Sequence, residues 1–101
     1  MNLLLNKIDE FIQTHLQQDF SLNDVAIHVG YSPYHLSREY KKLTRKTLMD
    51  TVREKKIMAA AKKIADGEAV LEAALAFGFE THSGFTRAFF EVIGCSPQEY
   101  S

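Results

Sequence analysis

The sequence has one cysteine, Cys95, and two prolines, Pro33 and Pro97, among its 101 residues. A single thiol closes no internal disulfide, so nothing here requires an oxidising compartment, and Cys95 reads as a small buried filler. No apolar run approaches the ~18 residues of a membrane span. The one early apolar cluster, Leu3 to Leu5, is broken by Asn6, Lys7, Asp9 and Glu10, so no secretory signal is expected in it. Gly-rich phosphate loops are missing, as is any carboxylate pair with acid–base geometry. His15, His28, His35 and His82 fall on different expected helices, far from metal-ligand spacing with Cys95. The expectation is a soluble, cytoplasmic, non-membrane protein that is not an enzyme, with no catalytic residues, no metal ligands and no cofactor.

What the chain does have is 46% hydrophobic and 25% charged residues, enough for a small globular domain with a modest core. The formal net charge of −1 conceals an uneven distribution. Residues 1–37 carry net −3 and residues 64–101 net −5, whereas residues 38–63 hold ten bases and three acids, net +7. Because salt screens charges beyond ~8–10 Å, that block keeps a local positive potential.

Apolar spacing is helical throughout, with Leu22, Val25, Ala26 and Val29 and again Val70, Ala73, Ala74 and Phe77 at i, i+3, i+4, i+7, and no strand-like alternation is sustained. A first helix is expected over residues 2–17, with Leu4, Ile8, Phe11, Ile12 and Leu16 on one stripe. Ser21 with Asp24 three positions on reads as an acid-bearing capping box opening a short helix that Gly30 closes. Ser32 and Pro33 start the next helix in the order cap, then N1 proline. Thr47 caps a long helix running from Leu48 to Asp66, stopped by Gly67 and spanning about 28 Å. Its apolar positions, Leu48, Val52, Ile57, Ala61 and Ile64, leave the other side to Arg53, Lys56, Lys62 and Lys63.

The short-helix pattern occurs twice. Leu22, Val25, Ala26, Val29, Gly30 and Tyr31 match Val70, Ala73, Ala74, Phe77, Gly78 and Phe79 at an offset of 48. The offset then becomes 49, pairing Leu36 with Phe85, Ser37 with Thr86, Arg38 with Arg87 and Tyr40 with Phe89, so the second copy holds one extra residue in its turn or helix start. Arg38 lies two residues from both Leu36 and Tyr40, about 200° of helix rotation from each, and so faces solvent; Arg87 stands in the same relation to Phe85 and Phe89. A helix-turn-helix buries the inner face of its second helix and offers the outer face to the DNA major groove, where arginine pairs with guanine. That outer face carries Tyr34, Ser37, Arg38, Lys41 and Arg45 in the first copy, and His82, Ser83, Thr86 and Arg87, flanked by Glu80 and Glu91, in the second. Phe77, Phe79, Phe85 and Phe89 are expected in the core, with Phe90 half exposed.

Gly30-Tyr31-Ser32 with Leu36 and Arg38, then Gly78-Phe79-Glu80-Thr81-His82-Ser83-Gly84-Phe85-Thr86-Arg87-Ala88-Phe89, Gly94, Ser96-Pro97 and Tyr100, resemble the AraC/XylS family of bacterial transcription regulators over essentially the whole chain. The resemblance implies an all-α domain of about seven helices, with two helix-turn-helix subdomains (1–46 and 67–101) joined by a long linker helix (47–66). It also implies two recognition helices in successive major grooves, with base contacts at Tyr34, Ser37 and Arg38 and at His82, Ser83 and Arg87. A 28 Å linker with subdomain widths added is compatible with a separation of roughly one 34 Å DNA turn. Phosphate contacts are expected from Lys41, Lys42, Arg45, Lys46, Arg53 and Lys56.

Three positions depart from the family pattern. Lys55 replaces the usual linker arginine, Ser101 the arginine after the terminal tyrosine, and Gly84 sits early in the second recognition helix, where glycine either weakens the helix or permits a close approach. The expected partners are double-stranded DNA and RNA polymerase, with nucleoid association when bound; the competing reading is a helical protein–protein interaction module using the acidic second half. A regulatory domain elsewhere in a longer chain is expected to follow residue 101 rather than precede Met1.

Overall fold

The computed structural model describes residues 2–101, so Met1, the expected start of the first subdomain, lies outside the described residues. Seven helices and no strand occur among the described residues: α1 (Leu3–Thr14), α2 (Leu22–Val29), α3 (Pro33–Thr44), α4 (Leu48–Ala65), α5 (Val70–Ala76), α6 (His82–Ile93) and α7 (Pro97–Tyr100). The chain divides into two compact units, Met1–Val52 and Arg53–Ser101, with the division falling inside α4.

In the first unit, α1 places Ile8, Phe11 and Ile12 against Val25 and Ala26 of α2, Leu36 and Tyr40 of α3, and Leu48 and Val52 from the start of α4. The helix stops three residues sooner than the apolar stripe suggests, and Leu16 lies in the following turn, half-buried. Side chains near the end of α1 compete for its carbonyls: Thr14 Oγ1 donates to Glu10 O at 3.0 Å, and His15 Nδ1 lies 2.7 Å from Phe11 O, its ring stacked on Phe11.

The capping box of α2 is closed at both ends, since Ser21 Oγ accepts from Asp24 N and the Asp24 carboxylate accepts from Ser21 N at 2.8 Å. Gly30 then takes the left-handed backbone at φ 78°, and Tyr31 N donates to Ala26 O at 3.0 Å. Few residues but glycine adopt that conformation at low cost.

The second unit repeats this plan. Gly78 is left-handed at φ 83°, and Phe79 N donates to Ala74 O at 3.1 Å. Its core holds Ile57, Ala60, Ala61 and Ile64 of α4 with Ala73, Ala74, Phe77, Phe85, Ala88 and Phe89. Phe79 is only half-buried, its ring edge-on to Phe85 at 5.2 Å. Ser96 caps α7 with a closed box, Pro97 is fully buried, and the Tyr100 ring meets Phe89 at 5.5 Å, which explains the Ser-Pro-x-x-Tyr spacing as a device that seats α7. The extra residue of the second copy is Glu80, lying in the turn: one residue, Tyr31, separates Gly30 from the cap Ser32, and two, Phe79 and Glu80, separate Gly78 from the cap Thr81.

Candidate nucleic-acid interface

The start of α3 is fixed by Ser32, whose hydroxyl accepts from His35 N at 3.2 Å, and by Pro33 in the first turn. Burial of Leu36 and Tyr40 then dictates which residues turn outward. Tyr34, Ser37, Arg38, Lys41 and Lys42 are all exposed, and Tyr34 keeps 65% of its surface in solvent although it is a large aromatic. Arg38 Nη1 donates to Tyr34 Oη at 3.0 Å, with its guanidinium carbon 5.5 Å from the ring centroid. That contact holds a flexible side chain near one geometry in solvent, which lowers the ordering cost of any bond its planar fork makes. Arg45 and Lys46 follow at the end of the helix, both exposed.

In the second unit, Thr81 Oγ1 caps α6 by accepting from Gly84 N at 3.0 Å. A Cβ at position 84 would lie 2.7 Å from that hydroxyl, so the glycine serves the close approach of the cap. His82, Ser83 and Arg87 are exposed, as the spacing requires. Sequence reasoning missed the partner of His82: the Gln98 side-chain amide, on α7, donates toward its Nε2 across 3.2 Å. Sixteen residues separate the two, and no local signal links them.

Thr86, expected on the outer face, is half-buried, with its hydroxyl buried and without a hydrogen-bond partner among the described residues. It lies three residues before Phe89, on the same side of the helix as that core ring. The poorer charge of this face is also qualified by geometry. Arg53 Nη2 donates to Glu91 Oε2 at 2.9 Å, with both side chains about half exposed, so the cation expected to bind phosphate is engaged by one of the acids that flank this face. Lys56 is half-buried on α4.

A helix-turn-helix domain family model matches residues 25–101. Among curated relatives, the transcriptional activator AarP of Providencia stuartii is 31% identical over 98 residues, covering 96% of this chain and 73% of that protein. The multiple antibiotic resistance protein MarA of Escherichia coli is 31% identical over 99 residues, covering 97% of this chain and 78% of that protein. The chain belongs to the AraC/XylS family of DNA-binding domains. Solved structures share the fold at lower identity. An AraC-type DNA-binding domain-containing regulator from Chromobacterium violaceum superposes with a TM-score of 0.90 at 19% identity, over 96% of this chain and 88% of that one. The DNA-binding domain of AdpA, solved in complex with a target DNA, gives 0.83 at 20% identity, over 99% of this chain and 90% of that one. Within the family, then, α3 and α6 are the second helices of the two helix-turn-helix motifs. No described helix is long and apolar enough to cross a membrane.

Proposed function

We propose that this chain binds double-stranded DNA sequence-specifically in the bacterial cytoplasm and regulates transcription, presenting α3 and α6 to successive major grooves of one duplex. The observation that carries the reading is the outer face of α3, where an exposed arginine fork held by an exposed tyrosine is followed by exposed cations over the last helical turn. Arg38, with Tyr34 and Ser37, reads base edges in the first half-site; His82, Ser83 and Arg87 read the second. Lys41, Lys42, Arg45 and Lys46 hold backbone phosphates, and Arg53 and Lys56 add to them from α4, Arg53 only after leaving Glu91. Regulation of transcription brings RNA polymerase in as the second partner. The domain does no chemistry on its ligand and needs no cofactor.

Mobility-shift titration with genomic fragments over a salt series tests the proposal. Tight retention of a subset of fragments, weakening linearly in log salt, is the expected result. Equal, weak binding to all fragments would leave a polycation without readout, and no binding at moderate salt would favour the protein-interaction reading instead.

A further inference from the structure

Arg45 is the one residue other than glycine with a positive φ among the described residues, at 66°. It ends α3 as its C-cap, and its N–H donates to Lys41 O at 2.7 Å. The same place in the second unit, 49 residues on, is Gly94, with φ 97° and its N–H donating to Phe90 O at 2.9 Å. One backbone device thus occurs twice, filled in one copy by the residue that suits it and in the other by an arginine. A side chain at a left-handed position is disfavoured by the approach of Cβ to the backbone, and glycine relieves it.

Electrostatics within the fold give no compensating reason. Lys41 and Lys42 already supply the last turn of α3 with the cations its C-terminal dipole favours, and Arg45 adds like charge beside them. Among the described residues no carboxylate pairs with Lys41, Lys42 or Arg45. A position disfavoured by both backbone and neighbouring charge is the signature of a side chain kept for a ligand, and a guanidinium amid lysines suits an oxyanion that accepts two parallel hydrogen bonds.

We infer that Arg45 is a phosphodiester clamp at the C-terminal end of α3, retained at the expense of folding stability. The inference rests on the DNA reading of α3 and adds that binding and stability are traded against each other at this single residue.

Arg45→Gly and Arg45→Asn, each compatible with the left-handed backbone, separate the two effects. Urea unfolding should show the unfolding constant of Arg45→Gly reduced roughly 3-fold or more. Titrations with a cognate and a random duplex should show both variants weakened by a similar factor on both DNAs, with the slope of log K against log salt reduced by about 0.9. A more stable Arg45→Gly with unchanged affinity and slope would overturn the clamp, and a less stable one would overturn the trade. Lys41→Gln and Lys42→Gln serve as the reference. If they lower the slope and the Arg45 variants do not, the clamp alone fails; if none of the four changes it, the DNA reading of α3 fails with it.

Discussion

Ser21 opens α2 with a closed capping box, whereas its counterpart 48 residues on, Ala69, opens α5 with no side-chain hydrogen bond. At the other end of the motif the order reverses. Gly94 ends α6 in relaxed left-handed backbone, whereas Arg45 ends α3 in the same conformation with a full side chain. The core positions agree far better: Val25 and Ala73, and Leu36 and Phe85, are fully buried pair by pair. Packing therefore constrains both copies alike, and the differences gather at helix ends and on outer faces, where substitutions leave the core intact. The first unit has a well-specified start and a cationic outer face on α3. The second has a less well-capped start, a single arginine on its recognition helix, and an aromatic row, Phe79, Phe85, Phe89 and Tyr100, in successive ring contact.

The largest expected effect tests the part the units share. Phe85→Ala should cost about 3–5 kcal/mol and Leu36→Ala about 2–5 kcal/mol, measured by urea unfolding, because each removes a fully buried side chain from a packed core. A loss below about 1 kcal/mol at either site would mean that the two positions are not equivalent anchors.

Next comes the difference in readout. Arg38→Ala should weaken binding to a cognate site by roughly 1–3 kcal/mol and relax preference at one base pair, while Arg87→Ala weakens it less. Footprinting both variants on one site checks the ranking. If Arg87→Ala empties both half-sites while Arg38→Ala scarcely matters, the second unit dominates. Equal losses for Arg38→Ala on cognate and random DNA would make it a phosphate contact.

Much of this was legible in the sequence because it depends on local chemistry. The 3.6-residue period gave the buried faces, Ser and Thr at helix starts gave the caps, and the doubled Gly-aromatic turn gave the repeat. What escaped has two causes. Competition at the end of α1, where Thr14 and His15 bond back to main-chain carbonyls, cuts off a stripe whose pattern alone would continue. Pairings between distant residues, Arg53 with Glu91 and Gln98 with His82, leave no periodic trace. By contrast, the bond from Arg38 to Tyr34 follows i, i+4 spacing and was within reach of sequence reasoning, which placed both residues on one face without joining them.

The missing cap offers a gain. Ala69 has the extended backbone of an N-cap, φ −65° and ψ 142°, and Glu72 stands at the third helical position. Ala69→Ser would restore the Ser-x-x-acid pattern that Ser21 and Asp24 use in the first unit. Thermal or urea unfolding should show stability raised by about 1 kcal/mol. No gain would indicate that α5 is held by packing of Ala73 and Ala74 rather than by its end.

The smallest effect concerns the charge contrast itself. Glu91 opposes phosphate only insofar as its charge is unmatched, and Arg53 at 2.9 Å matches it. With both side chains about half exposed, solvent screens the pair, so breaking it should alter stability by no more than a few tenths of a kcal/mol. Its consequence for binding is larger in kind than in size. Glu91→Gln removes an anion from the second unit and releases Arg53, so affinity for all duplexes should rise modestly and the salt slope should steepen by up to about 0.9. Arg53→Gln in the unaltered chain should lower that slope by less than the ~0.9 of an unpaired cation, because the Glu91 carboxylate already matches part of the charge that phosphate would recruit. A reduction by the full ~0.9 on Arg53→Gln would show that DNA takes Arg53 wholly from Glu91 on binding. The second unit would then hold more usable positive charge than its net −5 segment suggests, and the asymmetry between the units would narrow to their recognition helices alone.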